Sequence, residues 1–201
     1  MASYLAAGMT PCVIVWKAPA WITSSPSGDG PYDMVGGDPS QMAAFMAALT
    51  SHYPAVLWYE MYNEPDRIAD TGDDGGWGAT EETANQYARM MAAVWDAVHT
   101  ANPLAHVAFG GVAADELTIF NISKNYPATR DFVSEVLYYM QQHPRTAPAE
   151  YFDYFNLHYY PAYALNWDTA YNKLLSAKIT HYKTRLAYYG FNKLFIVTES
   201  G

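Results

Sequence analysis

Five short apolar runs recur along this chain at intervals of roughly 40 to 50 residues, and no other feature limits the fold as tightly. They are CVIVW (Cys12 to Trp16), AVLWYEM (Ala55 to Met61), HVAF (His106 to Phe109), YFNLH (Tyr154 to His158) and LFIVT (Leu194 to Thr198). β-Branched and aromatic residues dominate them. Most are nearly continuous rather than alternating, the pattern of strands buried on both faces of a parallel sheet. Helical patterns fill the gaps. Asp38 and Pro39 suit a cap and first helical position ahead of Met42, Phe45, Met46 and Leu49, an apolar stripe at helical spacing. Thr80 suits the next cap, with Glu81 and Glu82 in a first turn favoured by the helix dipole and Tyr87, Met91, Val94 and Val98 on one face. Phe132, Val136, Tyr139 and Met140 mark a shorter helix. The last runs from about Thr169 to Tyr189, with Leu175, Ile179, Tyr182 and Leu186 inward and Gly190 ending it.

Strand–helix alternation predicts an α/β fold with a parallel sheet. The segments that follow strands are long and rich in Gly, Pro and Asp, while those leading into strands are shorter. That asymmetry suits a (β/α) barrel, whose site is built by the loops after the strands. Five units against the eight of a closed barrel predict a partial (β/α)8 TIM barrel, a single domain over residues 1–201. Two strands are expected to be missing before Cys12 and one after Gly201. An open barrel would expose two sheet edges.

Bulk composition narrows the partners. A net charge of −9 argues against nucleic acid and against an anionic membrane surface, both of which need clustered Lys and Arg. No apolar stretch reaches the length of a membrane span. No secretory signal precedes the first structured segment, and localisation stays open between secreted and cytoplasmic. The oligomeric state is also open. Cys12 is the only cysteine, which excludes an intramolecular disulfide, and its apolar neighbours predict a buried, inert thiol. The 18 Tyr, 6 Trp and 8 Phe supply either a large core or stacking surfaces for a flat ligand.

Carboxylates at strand ends carry the chemistry. WYEMYNEPD, residues 58 to 66, starts as a strand and then sets Asn63, Glu64 and Pro65 side by side where the strand ends. Glu199, in IVTESG, occupies the same place on the last strand. Strand tips of a barrel converge on one mouth, so these two carboxylates can face each other across 135 positions of sequence. Two facing carboxylates are the minimum equipment for cleaving a glycosidic bond, and a spacing of about 5 Å lets one of them attack directly. Glu60 shares the strand parity of Glu64 and points into the barrel one layer deeper. There it needs an Arg or a hydrogen-bond partner, and its expected role is structural.

Three motifs in order resemble those of the clan A glycoside hydrolases, retaining enzymes on a (β/α) barrel. WYEMYNEPD resembles their fourth-strand Asn-Glu-Pro motif, LHYYP their sixth-strand His-x-Tyr, and IVTESG their seventh-strand Thr-Glu motif. The resemblance spans about strands 3 to 7, and E-x-x-N-E-P leans toward family 39, with family 5 close behind. It implies Glu64 as general acid/base and Glu199 as nucleophile. It implies Asn63 as the amide that grips the sugar 2-hydroxyl, Tyr160 as a phenol bonded to Glu199, and His158 as a site-wall residue that contacts substrate or supports the acid/base. The substrate implied is a β-linked plant-type polysaccharide or oligosaccharide, with no cofactor and no metal. The clan's second-strand Arg and eighth-strand Trp have no counterpart here.

Duller roles stand beside these. Trp16, Trp21, Trp77 and Trp167 are each candidates for stacking on a sugar or for loop packing, while Trp58, within a strand, belongs to the core. His158 also suits a satisfied core histidine, and Tyr159 faces the helices. Asp70 to Glu81 matches several positions of a calcium loop, but Gly72 offers no oxygen at the third, so an acidic loop at the mouth is the better reading. No His-x-His or His-Glu-x-x-His spacing supports a metal-dependent hydrolase. The rival function is a non-catalytic carbohydrate-binding or inactive truncated barrel.

Overall fold

The computed structural model describes residues 2–16, 38–66, 77, 81–113, 130–160 and 174–201. Within them five parallel strands form one sheet: β1 (Cys12–Val15), β2 (Trp58–Asn63), β3 (His106–Gly111), β4 (Tyr154–Tyr159) and β5 (Leu194–Ser200). Each strand pairs with its neighbours in the sequence, in the order β1-β2-β3-β4-β5. The helices are α1 (Ala2–Ala6), α2 (Pro39–His52), α3 (Glu81–Ala101), α4 (Phe132–Gln142) and α5 (Leu175–Tyr188). Strict strand–helix alternation with sequential parallel pairing is the rule of a (β/α) barrel, and this sheet is five strands of one, curled with its helices outside.

Local chemistry explains the helix starts. Asp38 caps α2 by accepting a bond from the Ser40 amide at 2.9 Å, with Pro39 at the first position. Asp131 caps α4 by accepting from the Ser134 amide at 2.7 Å. Beyond α5, Gly190 takes a φ of 85°, the left-handed turn that only glycine adopts without strain. Thr80 and the first residues of the long predicted last helix lie outside the described residues.

The core lies between sheet and helices. Tyr59 and Met61 of β2, Val107 and Phe109 of β3, and Phe155 and Leu157 of β4 are fully buried, as are Met46, Tyr87, Met91, Val94, Val136 and Tyr182 on the helices. Rings interlock across the layers: Phe109 lies 5.1 Å from Tyr87, and Phe155 lies 5.3 Å from Tyr182. Truncating such a ring to alanine costs about 3–5 kcal/mol. The concave face begins with an aromatic layer in which Trp58 meets His106 at 4.5 Å and Tyr154 at 4.8 Å.

Three sequence expectations change. Cys12 is exposed on β1, an edge strand of this sheet, rather than buried. Phe45 is 51% exposed, because Met42, Met46 and Thr50 set the buried stripe of α2 and Phe45 falls on its flank. Trp77 is 1% exposed, enclosed by Tyr62 and Tyr87, so it is a core ring with no face left for a sugar. No described helix is long and apolar enough to cross a membrane.

Candidate active site

The strand tips gather the predicted residues. At the end of β2 the backbone departs from a regular strand: Tyr62 takes a φ of 76° and Glu64 a φ of 46°. Left-handed φ in residues with side chains is strained and persists only where surroundings over-determine it. The effect is to turn Tyr62 outward onto Trp77 while Glu64 points toward the mouth. Asp66 then ties the turn to the next strand, accepting a bond from the Ala113 amide at 3.0 Å.

A second irregularity aims Glu199. Leu157 pairs with Val197, yet His158 pairs with Glu199, so Thr198 is the extra residue of a bulge on β5. Strand alternation would send Thr198 and Glu199 to opposite faces; the bulge lets both reach the concave side. The Thr198 hydroxyl exchanges bonds of 2.8 and 3.1 Å with the Asn156 side chain. Glu199 reaches His158, its Oε2 lying 2.9 Å from Nδ1.

His158 is the centre of the group. Its Nδ1 also lies 3.1 Å from Glu64 Oε1, and its Nε2 lies 3.1 Å from Glu60 Oε1. One oxygen of Glu64, one of Glu199 and a nitrogen of His158 fall within 4.8 Å of one another. Both ring nitrogens therefore face carboxylates, an arrangement satisfied when both carry protons. Burial would lower the pKa of this ring, but hydrogen bonds to Glu60 and Glu64 and the charges of Glu60 and Glu199 outweigh it and lift the pKa to about 9. The carboxylates are unequally enclosed: the Glu64 side chain is 11% exposed and that of Glu199 40%.

Sequence reading did not single out the residues that build the seat of this histidine. A Cβ on Gly111 would overlap the His158 ring, and one on Gly110 would run into the Met61 and Tyr62 carbonyls. The Tyr87 hydroxyl stitches β2 to β3 there, donating to Met61 O and accepting from the Gly110 amide, each at 2.9 Å. Lys178 of α5, fully buried, donates to the carbonyls of Val112 at 3.1 Å and His158 at 2.8 Å. The Gly-Gly pair at the end of a strand was the available signal for close backbone approach; a lysine on an otherwise apolar helix face was the other.

The remaining candidates are spread out. Asn63 closes β2 opposite Gly111, half-buried. Tyr160 lies with its ring against Gly201, two residues past Glu199. Trp16 is half-buried and packs against the hydrophobic core. Trp21, Trp167 and the acidic segment 70–76 lie outside the described residues.

No known family's sequence model matches this chain, and no curated protein matches it. Solved structures do. A glucosidase from Croceicoccus marinus matches with a TM-score of 0.62 at 15% identity, over 100% of this chain and 36% of that one. A monomeric β-xylosidase from Caulobacter crescentus CB15 matches with a TM-score of 0.61 at 16% identity, over 100% of this chain and 39% of that one. A bifunctional glucanase-xylanase from a metagenome library matches with a TM-score of 0.61 at 16% identity, over 100% of this chain and 54% of that one.

The fold is that of the (β/α) barrels in these glycosidase structures.

This chain spans roughly a third to a half of the length of those glycosidase structures. At such identity the glycosidase likeness is one of fold. What the site does rests on its own residues.

Proposed function

We propose that this chain carries the carboxylate pair of a retaining glycoside hydrolase acting on β-linked glycans. Glu199 attacks the anomeric carbon while Glu64 protonates the departing glycosidic oxygen, leaving a glycosyl ester on Glu199. Glu64, now ionised, takes a proton from water. The water oxygen bonds to the anomeric carbon as the ester bond to Glu199 breaks, which releases the sugar and restores the Glu199 carboxylate. Asn63 grips the 2-hydroxyl. Trp16, Trp21 and Trp167 are the proposed sugar platforms.

One observation carries this reading: two carboxylates from strands far apart in sequence converge to within 4.8 Å around one histidine at the strand tips. A carboxylic acid and a carboxylate at that spacing suit direct attack better than activation of an intervening water, which needs about 6.5–9.5 Å. Unequal enclosure supports unequal roles, the proton donor in the closed position and the nucleophile facing the open mouth.

The test separates the two carboxylates. Glu64→Ala should lower turnover of aryl β-glycosides with poor leaving groups by about 10²–10⁴-fold and spare the first step for activated leaving groups. Added azide should restore turnover and yield a β-glycosyl azide. An equal loss on every leaving group, with no azide product, would assign Glu64 another role.

A further inference from the structure

Resting on that glycosidase reading, we infer that Glu60 is a positioning residue: it fixes the orientation and the charge of His158 between the two mouth carboxylates. Glu60 is fully buried. Its Oε1 is bound twice, by the Gly111 amide at 2.9 Å and by His158 Nε2 at 3.1 Å. Its Oε2 is buried with no hydrogen-bond partner among the described residues. A buried, half-satisfied carboxylate is costly in a core, and an amide or apolar residue would fill the same space more cheaply. The cost is explained if the negative charge itself is used.

The geometry singles out Glu60 among the three carboxylates. The β3 backbone anchors it through Gly111, the same residue whose missing Cβ leaves room for the His158 ring. Lys178 of α5 holds the histidine from behind through its carbonyl. Glu64 and Glu199 stand at the mouth, and each changes charge during the proposed cycle. Glu60 stands one layer deeper and takes no part in the proton and glycosyl transfers. With Glu64 protonated, the ionised groups are Glu60, Glu199 and the imidazolium, a net charge of −1 facing an oxocarbenium-like transition state. Without Glu60 the ring would lose its proton or turn away, and the balance would change at each step. The described charged groups facing the ring are Glu60 from β2, Glu64 just past the end of β2, and Glu199 from β5; β3 offers only backbone, and α5 offers the Lys178 ammonium at the carbonyl.

Nitrogen-15 NMR of the His158 imidazole across pH reads this directly, in the full chain. The wild-type ring should stay doubly protonated up to a pH of about 9. In Glu60→Gln its midpoint should fall by about two units, with Nε2 becoming the acceptor. An unchanged midpoint in that variant overturns the inference. Should Glu60→Gln not fold, the double variant Glu64→Gln, Glu199→Gln decides: a midpoint still well above that of an ordinary histidine assigns the charge to Glu60, whereas a fall to the ordinary value assigns it to the mouth pair. The titration does not depend on turnover. A chain that hydrolyses no glycoside but keeps the elevated midpoint would sink the glycosidase reading and leave Glu60 in place.

Discussion

Two histidines of this molecule, both largely enclosed, sit at opposite ends of the titration range. His158, at the strand tips, has its pKa lifted to about 9. His181, on α5, has its pKa lowered to about 4 by burial first and by the Arg185 guanidinium second, only partly offset by Asp131. Burial acts on both in the same direction, so it cannot explain the difference. Neighbours do. His158 is met by three carboxylates, while His181 shares its helix with Arg185, which already engages Asp131. The scaffold around His181 settles its own charges and leaves a neutral ring. The strand tips gather three carboxylates around His158, a concentration of charge that marks them as a candidate site.

The sharpest way to break the comparison is to remove each ring. His158→Phe should strand the buried Glu60 charge and cost about 3–5 kcal/mol in urea unfolding, whereas His181→Phe should cost less than about 1 kcal/mol. Equal losses would mean that the two sites are alike.

A pH series of unfolding free energies reads the same contrast without replacing His158. Because the folded pKa of His158 lies above its unfolded value, its contribution is complete below a pH of about 6.5 and is lost as pH rises through about 9. That loss is on the order of 3 kcal/mol. His181 has the opposite sign: its contribution is present above about 6.5 and is lost as pH falls through about 4. His181→Gln should therefore flatten the acid limb and leave the alkaline limb in place. An alkaline limb that also flattened would tie the two rings together.

At the strand tips a smaller effect than the loss of the ring comes from a single methyl. Gly111→Ala places a Cβ where the His158 ring lies and should cost about 1–3 kcal/mol while displacing the ring. Its mark is a lowered His158 midpoint as well as lowered stability. A loss of stability with the midpoint unmoved would show that the seat tolerates the shift.

The outline of the fold was legible because most of the five strands are nearly continuous apolar runs rich in β-branched and aromatic residues, and each begins within a few residues of its predicted place. Four strands run further than predicted: β2 continues to Asn63 and β4 to Tyr159, while β3 continues through Gly110 and Gly111 and β5 through Glu199 and Ser200. Glycine and charge read as strand breakers in sequence; here they are the working ends of strands. Glu64 and Glu199 were legible from their positions at strand tips. The geometry that aims them was not. The positive φ of Tyr62 and the bulge at Thr198 depend on contacts made across the sheet, and no local propensity encodes them. Glu60 was legible as an inward carboxylate in need of a partner, but the partner proved to be His158, from two strands away. Trp77 misled because a tryptophan in a Gly- and Asp-rich segment looks exposed, while this one closes a stack of rings between β2 and α3.

The most direct test of the central claim is covalent. Incubation with an activated 2-deoxy-2-fluoro-β-glycoside, followed by peptide mass spectrometry, should find one sugar per chain, attached to Glu199, and the β-anomer should be the first product formed from ordinary substrates. An α-anomeric first product, or a label on a residue other than Glu199, would contradict a retaining reaction at this carboxylate pair.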